Sequence, residues 1–298
     1  SEFEEEFFHL DISVEAREHA PNSGLRLINN KSKIKNLKSK KRKNKYESIY
    51  SALVLGLKDY VEKNNFKKVL IGISGGIDSA LTATIACDAL GSNNVIGVAM
   101  PSRFSKESSL KDAEELASNL QFELKVIEIE DITNNYRDLI SGVVDEDLHS
   151  ITDQNIQARA RGSLLMGLSN QLEAMVVATG NKSEMAVGYA TLYGDLVGGF
   201  ALLKDLYKTE VYQLVEYRNS FDEKVIPNNI IEKQPSAELK DDQLDVDSLP
   251  EYEVLDKILH MYIEGNSSSE DIIGLGIEKS VVFDVLNKVD KSEYKRRQ

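Results

Sequence analysis

One junction constrains this chain more than any other: a short apolar run that passes directly into a glycine pair. Lys68-Val69-Leu70-Ile71-Gly72-Ile73 is followed at once by Ser74-Gly75-Gly76-Ile77-Asp78-Ser79. A run this short and apolar, bounded by glycine, reads as a strand buried on both faces, as in parallel sheets. Before it, a helical pattern runs from 46 to 64, with Ile49, Leu53, Leu57 and Tyr60 on one face. After it, residues 79–90 read as a helix with Gly91 as C-cap. The alternation continues with a strand at 95–100, a helix at 105–120 and a strand at 122–128. Helices at 132–141 and 153–171 and a buried strand at 175–179 follow. Buried strands alternating with helices predict an α/β fold with a doubly wound parallel sheet. Beyond Glu184 the pattern changes to loops and helices, at 209–217, 251–263, 271–275 and 279–290, so the C-terminal part is helical. Residues 227–250 contain Pro and Asp and read as an ordered or ligand-responsive loop.

In open α/β sheets, ligands bind beyond the C-terminal ends of the strands. The 74–79 loop occupies that position. Gly75 and Gly76 let backbone N–H groups approach an anion and adopt unusual dihedrals. The following helix N-terminus adds partial positive charge. Ser74 and Ser79 add hydroxyl donors. Asp78 repels a phosphate unless a cation lies between them, which makes it a candidate magnesium ligand. The loop lacks the Lys-Ser/Thr ending of a Walker A motif and the spacing of a dinucleotide fingerprint.

Composition narrows the partners. The net charge of −13 argues against nucleic acid, which needs a basic surface. Cys87 is the only cysteine, which excludes a disulfide framework or a cysteine-based zinc site within one chain. Cys87 lies among Ile85, Ala86 and Leu90 and reads as a small core residue. His9, His19, His149 and His260 lack metal-ligand spacing. The sequence shows neither a signal peptide nor an apolar run long enough to cross a membrane, so a soluble cytoplasmic protein without membrane partners is expected.

Ser74-Gly75-Gly76-Ile77-Asp78-Ser79 resembles the PP-loop of the ATP pyrophosphatases, whose fold is the adenine nucleotide alpha hydrolase-like sheet. The resemblance implies that Gly72, Ile73, Ser74, Gly75, Gly76, Ile77, Asp78 and Ser79 hold ATP as it is cut to AMP and pyrophosphate. GMP synthetases, asparagine synthetases, tRNA-modifying enzymes and NAD synthetases all carry such a loop. Three stretches choose among them. They are Gln154-Asn155-Ile156-Gln157-Ala158-Arg159-Ala160-Arg161, Thr179-Gly180-Asn181-Lys182-Ser183-Glu184 running on to Leu192-Tyr193-Gly194-Asp195, and Gln234-Pro235-Ser236-Ala237-Glu238-Leu239. Together with the terminal Glu293-Tyr294-Lys295, they resemble the synthetase domain of the NAD synthetases, in its glutamine-dependent branch, over residues 46–298.

That resemblance implies a C–N ligase. The carboxylate of deamido-NAD (nicotinate adenine dinucleotide) attacks the α-phosphorus of ATP, and ammonia then attacks the acyl adenylate. Asp78 and Glu184 are the implied magnesium ligands, and with Lys208 the implied catalytic set. Thr179, Lys208 and Ser236 join the ATP contacts. Asn155, Arg159, Glu184 and Lys295 are the implied deamido-NAD contacts. Asn155 and Arg159 lie four apart, on one helix face. Read without the family, Ser236 is a loop serine, Thr179 a strand-end cap and Lys295 a solvated tail lysine.

The family also implies a homodimer whose deamido-NAD site is shared between subunits. Glutamine-dependent members carry an amidase domain as their ammonia source. Residues 1–45 are too short for one and read as the tail of such a domain plus a linker, basic from Lys31 to Lys45. The expectation is a chain that takes free ammonia, or ammonia from an amidase domain or glutaminase outside these residues. The alternatives are a tRNA-modifying PP-loop enzyme and a non-catalytic nucleotide-binding module.

Overall fold

The computed structural model describes residues 44–144, 147–221 and 224–297. The short strand expected near the N-terminus and nearly all of the basic stretch lie outside them. The chain opens with helix α1 (Lys45–Lys63), capped by the Asn44 side chain, which accepts from the Glu47 N–H at 2.7 Å. Strand β1 (Lys68–Gly72) leads through the glycine loop into α2 (Ile77–Leu90). Then come β2 (Val95–Ala99), α3 (Glu107–Leu120), β3 (Glu123–Val126), α4 (Glu130–Val144), α5 (Ser150–Leu172) and β4 (Ala174–Ala178). The remaining elements are α6 (Lys182–Val187), β5 (Phe200–Ala201), α7 (Lys208–Asn219), α8 (Asn228–Glu232), α9 (Tyr252–Leu259), α10 (Ser269–Ile273) and α11 (Lys279–Lys291).

The five strands form one parallel sheet in the order β3-β2-β1-β4-β5. This is the doubly wound arrangement that the alternation predicts. Successive residues of β1 serve opposite faces. Val69 and Ile71 pack on one side with Leu57, Val61, Leu81, Ile85 and Leu214 from α1, α2 and α7. Leu70 packs on the other side with Ile96, Val98 and Leu165. Burial on both faces explains why β1 shows no polar alternation. A third apolar cluster joins α6, α9, α10 and α11 through Leu255, Ile258, Val282 and Val285. It fastens the helical C-terminal part to the end of the sheet that carries the loops.

Several boundaries differ from the sequence reading. Helix α2 begins at Ile77, so Asp78 and Ser79 belong to its first turn, with Gly76 as N-cap. The buried stripe of α1 is Tyr50, Leu57 and Val61. Tyr60 is 40% exposed and instead lays its ring against Phe200, with centroids 4.8 Å apart. Strand β3 is an edge strand and only half-buried. Elements α6, β5 and α8 are too short to impose a periodicity. The 227–250 stretch is mostly loop, as expected, with α8 and a 3-10 turn at Asp245–Asp247 inside it. Among the described residues, no helix is long and apolar enough to cross a membrane.

Gly97 marks where the sheet is tightest. A Cβ there would lie 2.6 Å from the Phe122 ring and 2.9 Å from Ile73. Gly97→Val should therefore destabilise the fold by about 1–3 kcal/mol through overpacking. Urea unfolding with an unchanged midpoint would contradict this packing.

Candidate active site

Strands β1 and β4 are neighbours in the sheet, but their connections leave in opposite directions, and the crevice this opens is where such sheets bind ligands. The glycine loop leaves β1 here. The Ile73 N–H still donates to the Val98 carbonyl at 2.9 Å, so the chain stays fixed to the sheet until Ser74. The loop then folds onto itself. The Ser79 hydroxyl donates to the Gly76 carbonyl at 2.9 Å and lies 3.2 Å from the Ser74 hydroxyl, which accepts the Gly76 N–H at 3.2 Å. Gly75 has φ +75°, and a Cβ there would overlap the Ser109 backbone carbonyl. Only glycine fits this position. A loop of this shape at the start of a 14-residue helix presents N–H groups and a positive dipole end to an anion.

Across the crevice, α6 and α7 bring in the opposing charges. Lys208 is the first residue of α7 and is 3% exposed. Its ammonium pairs with the Asp78 carboxylate and lies 3.4 Å from Glu184 Oε1. The backbone around Lys208 is held firmly. Its N–H donates to the Ser183 hydroxyl at 2.9 Å, and the Thr209 N–H donates to the buried Asp256 carboxylate at 2.8 Å. Glu184 is the third residue of α6, in a reciprocal cap with Asn181. The same Asn181 donates its amide to Asp78 Oδ1 at 2.9 Å. Asn181 thus ties the two carboxylates together.

The electrostatics follow from that crowding. Burial, then the neighbouring Asp78 carboxylate, push the Glu184 carboxyl up to about 8, against the pull of Lys208. Burial opposes the Lys208 charge, but Asp78 and Glu184 outweigh it and hold the ammonium above its usual range. Two carboxyl groups share one ammonium, and the repulsion between them, which raises Glu184, is what a further cation would relieve. Asp78 and Glu184 are the carboxylates available to such an ion. Among the described residues, no group of three or more His, Cys, Asp or Glu side chains is arranged to hold a metal alone.

The expected dinucleotide contacts meet at a second place, the turn that follows α6. Lys295 donates to the Gly188 and Ala190 carbonyls at 2.8 and 2.7 Å. Asn155 Oδ1 accepts from the Thr191 hydroxyl at 2.8 Å, and Arg159 Nε donates to the Leu192 carbonyl at 3.2 Å. All three side chains therefore grip residues 188–192, and Glu184 stands one helical turn away. Lys295, which reads in isolation as a solvated tail lysine, is half-buried, and that burial lowers its pKa.

Two expected ATP contacts stand apart from the charged cluster. Thr179 directly follows β4, on the crevice rim. The Ser236 hydroxyl is engaged within its own loop, donating to the Gln243 carbonyl at 2.5 Å and accepting from the Glu238 N–H at 3.1 Å.

Four residues at the site carry no individual role in the sequence reading. Asn181 had a usable signal, because an Asn three residues before a Glu is a capping signature. Asp245 is 4% exposed, accepts from the Tyr252 hydroxyl at 2.7 Å, and leaves its other oxygen buried without a hydrogen-bond partner. Tyr252 lays its ring 5.3 Å from the Lys208 ammonium. Arg161 faces the sheet from α5, and its Nε donates to the Met100 carbonyl at 3.0 Å. Burial pulls its pKa down to about 10, while Glu238 and Asp195 attract it from a distance. A partly buried guanidinium so placed suits an anionic ligand.

Comparison with known proteins agrees with this geometry. The NAD synthase family model matches residues 49–298. A glutamine-dependent NAD(+) synthetase of Thermotoga maritima is 50% identical over 253 residues, covering 85% of this chain and 44% of that protein. The structure of the glutamine-dependent NAD+ synthetase from Acinetobacter baumannii, in complex with ADP, is similar with a TM-score of 0.65 and 45% identity, over 88% of this chain and 47% of that one. The NH3-dependent NAD synthetase from Campylobacter jejuni is similar with a TM-score of 0.69 and 30% identity, over 85% and 96%. The chain spans about half the length of the glutamine-dependent relatives it matches. With a family model matched over residues 49–298 and relatives half identical over most of its length, the chain belongs to the NAD synthase family.

Proposed function

We propose that this chain catalyses the ATP-dependent amidation of deamido-NAD to NAD, releasing AMP and pyrophosphate. The observation that carries the reading is the Asp78–Lys208–Glu184 cluster, buried beside the glycine loop and one helical turn from the Asn155, Arg159 and Lys295 grip. One part suits a triphosphate, the other a second substrate held next to it.

The nicotinate carboxylate is itself the nucleophile, so the chain needs no serine or cysteine to form the intermediate. A carboxylate oxygen attacks the α-phosphorus, the bond to the β-phosphate bridging oxygen breaks, and pyrophosphate leaves. Ammonia then attacks the acyl carbon, AMP leaves, and a proton is released. What remains for the protein is alignment and charge stabilisation. The 74–79 loop N–H groups bind the departing pyrophosphate. Lys208, kept charged by its two carboxylates, supplies fixed positive charge beside it. Asp78 and Glu184 would hold magnesium, which neutralises phosphate charge when bound. The fit rests on their hard oxygen donors and on the mutual repulsion that raises Glu184; phosphates and water complete such a site.

Cys87 is no candidate amidase nucleophile. It is buried, and burial pushes its thiol up to about 11. In this reading ammonia reaches the site free or from an amidase. A second copy of the chain is the proposed partner. Helix α4 exposes Leu139 (70%) and Val143 (84%), and Ile151 at the start of α5 is 61% exposed. Helix α5 also carries Asn155 and Arg159, so a copy seated there would place the dinucleotide grip at the subunit boundary.

The chain should convert ATP, magnesium, deamido-NAD and ammonium into NAD and AMP in equal amounts, and should not use glutamine. No AMP release refutes the reading; glutamine-supported NAD formation refutes the assignment of the ammonia source. Lys208→Met should lower kcat by about 100-fold or more, by analogy with the loss of one preorganised donor. Circular dichroism and a Lys208→Arg control separate that effect from misfolding. Val143→Glu should convert a dimer into monomer by light scattering, and a wild-type chain that is only monomeric contradicts the dimer.

A further inference from the structure

The glycine loop is held from a side that the proposed chemistry does not use. Lys233 ends α8 and begins the long 233–245 segment. Its ammonium donates to the Gly75 carbonyl at 3.1 Å and to the Ser109 hydroxyl at 3.0 Å, and pairs with Asp112 Oδ2 at 2.7 Å. Asp112 is 3% exposed. The Ser109 hydroxyl in turn donates to Glu238 Oε1 at 2.6 Å, and Glu238 Oε2 accepts the Lys106 N–H at 3.2 Å. The 233–245 segment is therefore clasped at two points to the first turn of α3, and at one of them to the glycine loop itself.

The Gly75 carbonyl is the informative contact. It belongs to the Gly75–Gly76 peptide, which has glycine on both sides and is the least constrained peptide in the loop. Among the described residues every peptide is trans, so C=O and N–H of this unit point in opposite directions. With its carbonyl on the Lys233 ammonium, the Gly76 N–H must face the inside of the loop, where it meets the Ser74 hydroxyl at 3.2 Å. A flipped peptide would present a carbonyl oxygen to the anion in place of a donor. The ammonium opposes that flip, because it would lose a charge-assisted hydrogen bond. Asp112 and Ser109 fix the ammonium in turn.

We infer that Lys233 is a positioning residue for the glycine loop: it sets the Gly75–Gly76 peptide with its N–H toward the pyrophosphate end of the nucleotide. Pyrophosphate binding is thereby made to depend on the 233–245 segment, which also carries Ser236 and the buried Asp245. The inference rests on the proposed ATP chemistry for the identity of the anion.

Calorimetric titration of the full chain with magnesium pyrophosphate, and separately with AMP, tests it. Lys233→Met should weaken magnesium pyrophosphate about tenfold and leave AMP within twofold, since AMP lacks the β- and γ-phosphates. Lys233→Arg should restore most of the loss. Lys233→Met also leaves Asp112 buried without its cation, so the double variant Lys233→Met/Asp112→Asn provides the control. The double variant should retain the tenfold loss. Pyrophosphate affinity restored to wild type in the double variant, or equal losses for AMP and pyrophosphate, would show a merely structural role and overturn the inference. Failure of the wild-type chain to bind magnesium pyrophosphate would instead overturn the ATP reading beneath it.

Discussion

The pairing of Asp78 with Lys208 is the interaction on which the site depends. The two residues are 130 positions apart and come from helices on different strands' connections. Neither charge is stable alone at this depth, because a buried ion without a partner costs several kcal/mol. Each therefore requires the other's helix to be in place. Asp78 is fixed by α2, which starts as soon as β1 ends. Lys208 is fixed by the Ser183 and Asp256 contacts at the start of α7. Glu184 and Asn181 close the remaining side. The fold is stable with this cluster because sheet packing supplies apolar burial on both faces.

The same geometry suits the two substrates of the proposed reaction. The glycine loop and the charged cluster belong to the proposed triphosphate. The turn at 188–192, gripped by Asn155, Arg159 and Lys295, belongs to the proposed dinucleotide. The C-terminal helices α9 and α11 pack on α6 and hold both parts in place, with Ser292 donating to the Ala186 carbonyl at 3.0 Å. The role of the helical C-terminal part is thus to position the crevice.

Much of this was legible in the sequence, for identifiable reasons. Strands β1, β2 and β4 are continuous apolar runs because both of their faces are covered, and such runs stand out against amphipathic helices. The glycine pair stands out because it does what no side-chain-bearing residue can do at φ +75°. Other features depend on contacts that local pattern does not encode. Strand β5 has two residues and exists only because β4 offers an edge. Tyr60 fits the apolar stripe of α1 by spacing, yet packs sideways on Phe200. Lys233 directly precedes the Gln234–Leu239 stretch, but its role depends on Gly75, Ser109 and Asp112, all more than 100 positions earlier in the chain. Asp245 sits in a Pro- and Asp-containing loop, where an acidic residue is ordinarily solvated, and is buried only because Tyr252 meets it.

Helix α6 has six residues and ends at Gly188, whose φ of +70° stops it where Ser292 packs against the backbone. At ~1.5 Å per residue its length is about 9 Å. Within it, Glu184 stands one helical turn before the 188–192 turn that Asn155, Arg159 and Lys295 hold. One inserted residue would rotate one end about 100° relative to the other and turn Glu184 away from either Lys208 or the 188–192 turn. A segment with almost no hydrophobic periodicity is therefore the part of the chain least free to change in length.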